Sequence, residues 1–452
     1  VDILNSIHLQ IKQMLKKQSK IDGRFLVVAA LLGYFGLLYL ANFFVPYHKF
    51  WRRMGVPVTS FKNLFLDLRY VLGAFDCERL TGETSLTNHS CFNQIGYPSS
   101  WSLLTWLGLE MRDTIFLGVL FALIFYVVTL IIIGRLNYQE AVVYALILCS
   151  PPVMLLVERS NADIVIYSWL GIGLMIIKNS RALIFRLCAY LLIFFAGVIK
   201  LFPIFGLVVI IKEKRNLFLF LAAIFTTAFI TYFLASIGEM KTISDLHIQL
   251  ALSGDGDPVY YRFGYKALLL KVKSFLSNLS LFTGGETDIK KTLRYMMYII
   301  MSLLTILIFT RVLLSKFKIF QEWLSSDFVL TDSDKSLDKS QYIDYFRLAA
   351  GIYLGNFLVI GLVVDYKLTF LIFALPQILD WIKQENQLSL PSSMALVAIV
   401  ATFYASPFLH PWLVDEMINW FLAANLLYIS ILSMPEWLKS LVHKRLSGKF
   451  SV

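Results

Sequence analysis

Charge is scarce in this sequence. Asp, Glu, Lys and Arg make up 16% of its 452 residues, while 58% are hydrophobic and the mean hydropathy is +0.69. A soluble domain carries about 25% charged residues because its surface must face water, so a soluble globular chain is excluded. Alternation of polar and apolar residues is missing as well. Ile115 to Ile133 and Leu183 to Ile199 run without it, which excludes a membrane β-barrel, whose strands alternate. The six histidines are scattered and form no paired zinc motif. No Gly-rich phosphate loop closed by Lys-Ser/Thr and no Gly-x-Ser-x-Gly elbow occurs. Neither a metal nor a cofactor is therefore expected. No internal repeat is visible, which counts against a transporter built from repeats around a midplane site.

What the sequence does contain is a succession of apolar runs. About 20 apolar residues coiled as a helix match the hydrocarbon core of a bilayer. The reading is an all-α polytopic membrane protein with about twelve spans, eleven to thirteen in range: 25–45, 114–134, 138–157, 161–178, 183–199, 202–211, 216–237, 294–314, 344–362, 368–382, 394–410 and 417–434. The sixth is too short to cross upright. It follows Lys200-Leu201-Phe202-Pro203, where proline removes a backbone donor and favours a break, so 183–211 reads as a kinked hairpin or a partly re-entrant element.

Charge of one sign dominates, at +11, but in short clusters between apolar runs rather than in a basic domain. That pattern fits membrane orientation and anionic lipid headgroups and gives nucleic acid no role. Lys12, Lys16, Lys17, Lys20 and Arg24 precede the first span and place the N-terminus in the cytoplasm. Arg135, Lys178/Arg181/Arg186, Lys212/Lys214/Arg215, the 315–343 segment, Lys383 and the tail after 434 fall on the same side. Residues 1–24 form a cytoplasmic segment, with Ile7 to Lys20 an amphipathic surface helix. Residues 25–434 form one transmembrane domain and 435–452 a cytoplasmic tail. The first residues are polar and basic and the first apolar run is of full span length, so no cleavable leader is expected. The large loops 46–113 and 238–293 then lie outside.

Cysteine is sparse too, with four residues. Cys77 and Cys91 share the first outer loop and are close enough in sequence to close a small disulfide in an oxidising compartment, or else are a pair of free thiols. Cys149 and Cys188 sit in apolar runs as small buried hydrophobes. Asn88-His89-Ser90 and Asn278-Leu279-Ser280 match the short glycosylation pattern.

Polar residues at span ends carry the functional information. Phe65-Leu66-Asp67-Leu68-Arg69-Tyr70 reads as a short helix against the membrane that holds a carboxylate near the interface; Asp76, Glu78 and Arg79 follow. Glu158-Arg159-Ser160-Asn161-Ala162-Asp163 packs three charges into one turn, where Ser160 or Asn161 caps the next helix and Asp163 suits its first turn. Capping leaves Glu158 and Arg159 over, and Arg159 suits an anion. Lys200 stands at hydrocarbon depth, where an amine either snorkels or finds an anion. Val364-Asp365-Tyr366-Lys367 forms the fourth group. All four fall on one face of the membrane in this topology. Together they suggest transfer from an anionic lipid: a carboxylate takes the proton of an attacking hydroxyl, and Lys and Arg hold the phosphate as it leaves. Tyr70, Tyr97, Trp101 and Trp106 either stack on sugar rings or anchor the loops at the interface.

These motifs, with Val56-Pro57 and Gly96-Tyr97-Pro98, give the chain a resemblance to the multispanning glycosyltransferases of the C superfamily (GT-C). It is most similar to the polyprenyl-phosphate-mannose-dependent mannosyltransferases of bacteria, a group also described as membrane proteins of unknown function. The resemblance implies an inverting enzyme of the bacterial inner membrane with its site facing the periplasm. It implies a polyprenyl-phosphate sugar as donor, a lipid or glycan as acceptor, and no nucleotide-sugar site. By the same resemblance Asp67 is the base, with Asp76 as second choice. Arg159 and Lys200, together with Arg69, bind the donor phosphate, and Glu158, Asn161, Asp163, Asp365, Tyr366 and Lys367 line the rim. Ser160 stands where the family pattern has glycine, and Lys367 where arginine is commoner; lysine keeps the charge and loses the fork. A flippase or transporter of lipid-linked glycan, or a silent partner in glycan assembly, are the alternatives.

Overall fold

The computed structural model describes residues 22–41, 43–53, 56, 64–82, 105–243, 262–268, 340–360, 363–384, 387–408 and 412–440. The expected surface helix within 7–20, the span 294–314, Cys91, Tyr97, Trp101, both glycosylation motifs and most of the 315–343 segment lie outside them.

The described chain is mostly helical. Helix α1 (Arg24–Ala41) is followed by two short helices, α2 (Tyr47–Arg53) and α3 (Leu66–Thr81), and then by α4 (Thr114–Ile133). Helices α5 (Tyr138–Leu148) and α6 (Pro151–Arg159) come next, then α7 (Asp163–Asn179) and α8 (Leu183–Ile199). After a 3-10 segment (Phe202–Lys212) comes α9 (Arg215–Ala235). Helix α10 (Ile343–Gly355) continues into a π-turn (Asn356–Ile360). A second 3-10 segment (Asp365–Ala374) leads into α11 (Leu375–Lys383), α12 (Ser389–Phe408) and α13 (Trp412–Leu432).

Local chemistry explains the boundaries. Asn137 and Glu140 form a reciprocal capping box at the start of α5, with bonds of 2.9 and 2.8 Å, so two of the orphan amides of the first turn are satisfied. Pro151 and Pro152 open α6, where a missing N–H costs nothing, and they set a bend of 54° between α5 and α6. The single span expected over 138–157 is therefore a broken pair. The break at Lys200 lies where the sequence places it: α8 ends at Ile199, and the 3-10 winding starts at Phe202 with Pro203 in its first turn. Both 3-10 segments are far longer than the usual three or four residues, and both begin beside the polar cluster described below.

Among the described residues, four helical stretches are long and apolar enough to cross a membrane: Arg24–Ala41, Met111–Ile133, Arg215–Ala235 and Ile343–Ile360. The bent α5–α6 pair brings the number to five if it is one span, and Leu183–Ile199, Phe202–Lys212 and Ser389–Ala405 are shorter apolar helices. Hydropathy alone merges what proline breaks and 3-10 winding divide, so the expected twelve are not established. Burial separates peripheral from central helices. Only 17% of the α1 window and 11% of the α9 window is buried, against 67% for Ile343–Ile360. The outer pair present Phe25, Leu32, Leu37, Phe220 and Leu234 outward, as lipid-facing helices do.

The core lies between α7, α10, α11 and the 3-10 segments. Tyr167 stacks on Phe373 at 4.2 Å, and Phe346 meets Trp381 edge-on at 5.0 Å, the geometry that ring quadrupoles favour. Gly351 and Gly355 let α10 approach the first 3-10 segment. A Cβ at Gly355 would lie 2.1 Å from the Phe205 ring, and one at Gly351 would lie 2.5 Å from the Phe205 carbonyl. Small residues at i and i+4 allow such contact between backbones. Two-residue strands β1 (Arg262–Phe263) and β2 (Val363–Val364) pair antiparallel, with Arg262 opposite Val364, which pins the chain just ahead of Asp365.

The polar contacts sort into two ends. At one, Gly23 bonds Leu136 at 2.8 Å, Arg186 forks onto Glu213 at 2.7 and 3.0 Å, Lys212 meets Asp344 at 2.5 Å, and Lys383 pairs with Glu140. The other end holds Asp67, the 158–163 turn, Lys200 and 365–367.

Candidate functional site

The site begins with two backbone turns. Helix α6 ends in a Schellman turn: Ser160 N–H bonds Val157 O at 3.1 Å and Asn161 N–H bonds Leu156 O at 3.3 Å. This turn requires a left-handed residue, usually glycine, and Ser160 occupies it at φ 46°, ψ 47°. Across from it Phe65, also left-handed at φ 57°, ψ 47°, precedes α3, and its N–H donates to Glu158 O at 3.0 Å. Asp67 in the first turn of α3 is thereby set against the end of α6.

Asn161 is the hub. Its Nδ2 donates to Asp67 Oδ2 at 2.5 Å and to Tyr366 Oη at 3.3 Å. Its Oδ1 accepts from Lys200 Nζ at 2.8 Å and from the Asp163 N–H at 3.1 Å. Both donors and both lone pairs of the amide are thus used. The reverse orientation would put oxygen against a carboxylate and NH2 against an ammonium, so the network itself fixes the amide. The capping expected of the 158–163 turn falls to Asn161 through its bond to Asp163.

Two ion pairs flank this hub. Lys200 Nζ lies 2.6 Å from Asp163 Oδ1, with the lysine side chain 12% exposed and the aspartate 0%. Arg159 Nη1 lies 3.5 Å from Asp67 Oδ1, at 12% and 17% exposure. The first is a short charge-assisted bond; the second is looser. On the far side of the turn, buried Glu158 accepts a bond of 2.7 Å from Tyr47 Oη on α2. Burial, and then the neighbouring carboxylate, push the Tyr47 phenol well above its usual range, so it stays a donor.

The remaining expected residues sort as follows. Asp365 and Tyr366 are buried at the start of the second 3-10 segment. Lys367 Nζ stands 4.4 Å over the Phe202 ring, a cation–π contact. Asp76 lies nine residues along α3 from Asp67, about 13 Å of helix rise. It accepts from Arg79 at 2.5 Å and from the Met111 N–H at 2.8 Å, while Arg79 also holds Leu109 O at 2.6 Å. Asp76 thus ties α3 to the 109–111 backbone and is not part of the Asp67 network. Arg69 is not hydrogen-bonded into that network either; among the described residues its buried Nε has no hydrogen-bond partner. Cys77 is disulfide-bonded, while Cys149 and Cys188 are free thiols, the first half-buried and the second exposed rather than buried as expected. Tyr70 is half-buried and Trp106 exposed.

Sequence reasoning missed Tyr47 and the role of Phe65. It also missed a second buried knot on α13, where Asn419 Nδ2 donates to Asp415 Oδ1 at 3.0 Å, while Tyr353 and Thr402 donate to Asn419 Oδ1 at 3.0 and 2.8 Å. The adjacent acids Asp415 and Glu416 were the available signal, read as lying just outside the span. No family model, no curated protein and no solved structure matches the chain.

Proposed function

We propose that this chain is an inverting glycosyltransferase of the C-type fold. It takes a sugar from a polyprenyl-phosphate donor at the non-cytoplasmic face of the bacterial inner membrane and passes it to a lipid or glycan hydroxyl. The observation that carries this reading is the network in which Asn161 joins Asp67 to Lys200 with Arg159 against the second Asp67 oxygen. A carboxylate and two cations, drawn from separate stretches of chain, meet at one end of an apolar bundle.

The chemistry follows from those groups. The acceptor oxygen attacks the anomeric carbon, its proton passes to Asp67, and the bond from that carbon to the phosphate oxygen breaks. The electron pair leaves with the phosphate. A single displacement inverts the anomeric centre. Arg159 presents a fork matched to phosphate oxygens and Lys200 a compact charge, and both stabilise the leaving group as its charge grows. Asp163 and Asn161 keep the Lys200 ammonium in place before substrate arrives.

Purified protein given polyprenyl-phosphate-mannose and a panel of lipid and glycan hydroxyl acceptors tests the reading. Transfer is expected from the native chain, and Asp67→Asn is expected to reduce it by about 100-fold or more, as removal of a general base does. Full transfer by Asp67→Asn removes the proposed base. Uptake of the lipid-linked sugar by sealed vesicles without any covalent product favours a transporter instead.

A further inference from the structure

We infer that Phe65, wedged against Gly118, is a positioning residue that aims Asp67 at Asn161 and Arg159. For its activity readout this rests on the transferase reading. Its geometric readout does not.

Among the described residues, the non-glycine positions with positive φ are Phe65 and Ser160. They bracket the network, two residues before Asp67 and one before Asn161. A left-handed backbone is strained for any L side chain and is a true outlier for a bulky one. Such strain persists where the surroundings over-determine it, and it gathers at functional sites. The Ser160 case is explained by the Schellman turn. Phe65 has no such local reason, because its own side chain makes no cap for α3.

Three constraints hold Phe65 instead. Its N–H is tied to Glu158 O at 3.0 Å, and its carbonyl accepts from Arg69 N–H at 2.9 Å. Its ring is buried in a small cluster of its own with Leu68, Val71, Leu72, Phe75 and Leu117. The ring also lies so close to α4 that a Cβ at Gly118 would fall 2.3 Å from Cδ2 and 2.5 Å from Cγ. Only glycine at 118 leaves the ring its seat. With the ring seated and the amide tied to α6, the first turn of α3 has one direction, and Asp67 Oδ2 lies 2.5 Å from Asn161. Returning Phe65 to negative φ would swing that turn away from the 158–163 turn.

The test reads the placement directly. In a chain carrying Cys149→Ser and Cys188→Ser, with the Cys77 bridge kept, the pair Asp67→Cys and Asn161→Cys is joined by ethanediyl bismethanethiosulfonate, a short bifunctional thiol reagent. Rapid joining is expected in this parent, and a loss of at least about fivefold in rate on adding Gly118→Ala. With Asp67 and Asn161 intact, Gly118→Ala should lower kcat for polyprenyl-phosphate-mannose by at least about tenfold with KM nearly unchanged. If Gly118→Ala fails to fold, Phe65→Gly serves in its place, since it permits the left-handed backbone and deletes the wedge. The same loss of joining is expected. Joining at the parent rate in whichever of these variants folds overturns the inference. Rapid joining in the parent, together with no mannose transfer by the chain that keeps Asp67 and Asn161, overturns the transferase reading and leaves the wedge standing.

Discussion

Asn161 Nδ2 lies 2.5 Å from Asp67 Oδ2 although the two residues are 94 apart in sequence. The bond orients the carboxylate while Asn161 Oδ1 receives Lys200. Asn161→Ala is expected to lower kcat/KM by about 10- to 100-fold, the loss of a hydrogen bond to a charged group worth about 1.5–3 kcal/mol. Asn161→Asp should be worse despite its similar size, because it sets a like charge against Asp67. Steady-state kinetics with polyprenyl-phosphate-mannose measure both. Equal activity in the native chain and Asn161→Ala removes the orienting role.

The Lys200–Asp163 pair predicts a separation of stability from activity. Asp163 is 0% exposed, so Lys200→Met strands a buried charge and should cost about 3–5 kcal/mol. Adding Asp163→Asn removes that charge and should return most of the loss, seen as recovery of the unfolding midpoint in detergent. Transfer should stay low in the double variant, since neither side chain then offers a cation to phosphate. Recovery of transfer together with stability would make Lys200 a purely structural partner.

Much of this site was legible in the residues themselves. Three charges in the Glu158–Asp163 turn exceed what a turn needs, Lys200 stands beside a proline break, and Asp365-Tyr366-Lys367 interrupts an apolar stretch. Such groups are costly in hydrocarbon, so their presence alone marks them. The wedge was not legible, because Phe65 reads as one more apolar residue. Its backbone conformation depends on a glycine in the next long helix. Span boundaries were blurred for a related reason: hydropathy counts apolar side chains and does not register a 54° bend at Pro151 or a shift to 3-10 winding at Phe202. The first turn of α13 was lost likewise, since Asp415 and Glu416 are charged in sequence but buried in the fold.

Ser160 offers a gain in stability. Its φ of 46° falls where glycine rests without strain, and its buried Oγ has no hydrogen-bond partner among the described residues. Ser160→Gly removes both costs and should stabilise the protein by about 1 kcal/mol, offset in part by the entropy glycine adds to the unfolded chain. Ser160→Val should destabilise it, because a β-branched residue tolerates positive φ poorly. Unfolding midpoints of the two variants check the sign. A lower midpoint for Ser160→Gly would show that the hydroxyl is needed.

At the opposite end of the bundle, Asp22 supplies a pH dependence whose sign can be worked out. Its carboxyl is lowered from 3.8 to about 2. The Arg24 side chain is the main cause, with bonds of 2.9 and 2.7 Å, and the N–H groups of Arg24 and Leu136 add to it, at 3.0 and 3.4 Å, while burial acts against them. The folded value lies below the unfolded one, so the stabilisation is complete above about pH 4 and is lost as pH falls through about 2. Because the Arg24 side chain is 39% exposed, solvent screening reduces the worth of the pair to about 1 kcal/mol at neutral pH. Asp22→Asn should therefore unfold at a lower temperature than the native chain at pH 7, and the gap should narrow below pH 4 and close below pH 2. A gap that stays constant across this range would assign the effect to lost packing between the start of α1 and Leu136 rather than to charge.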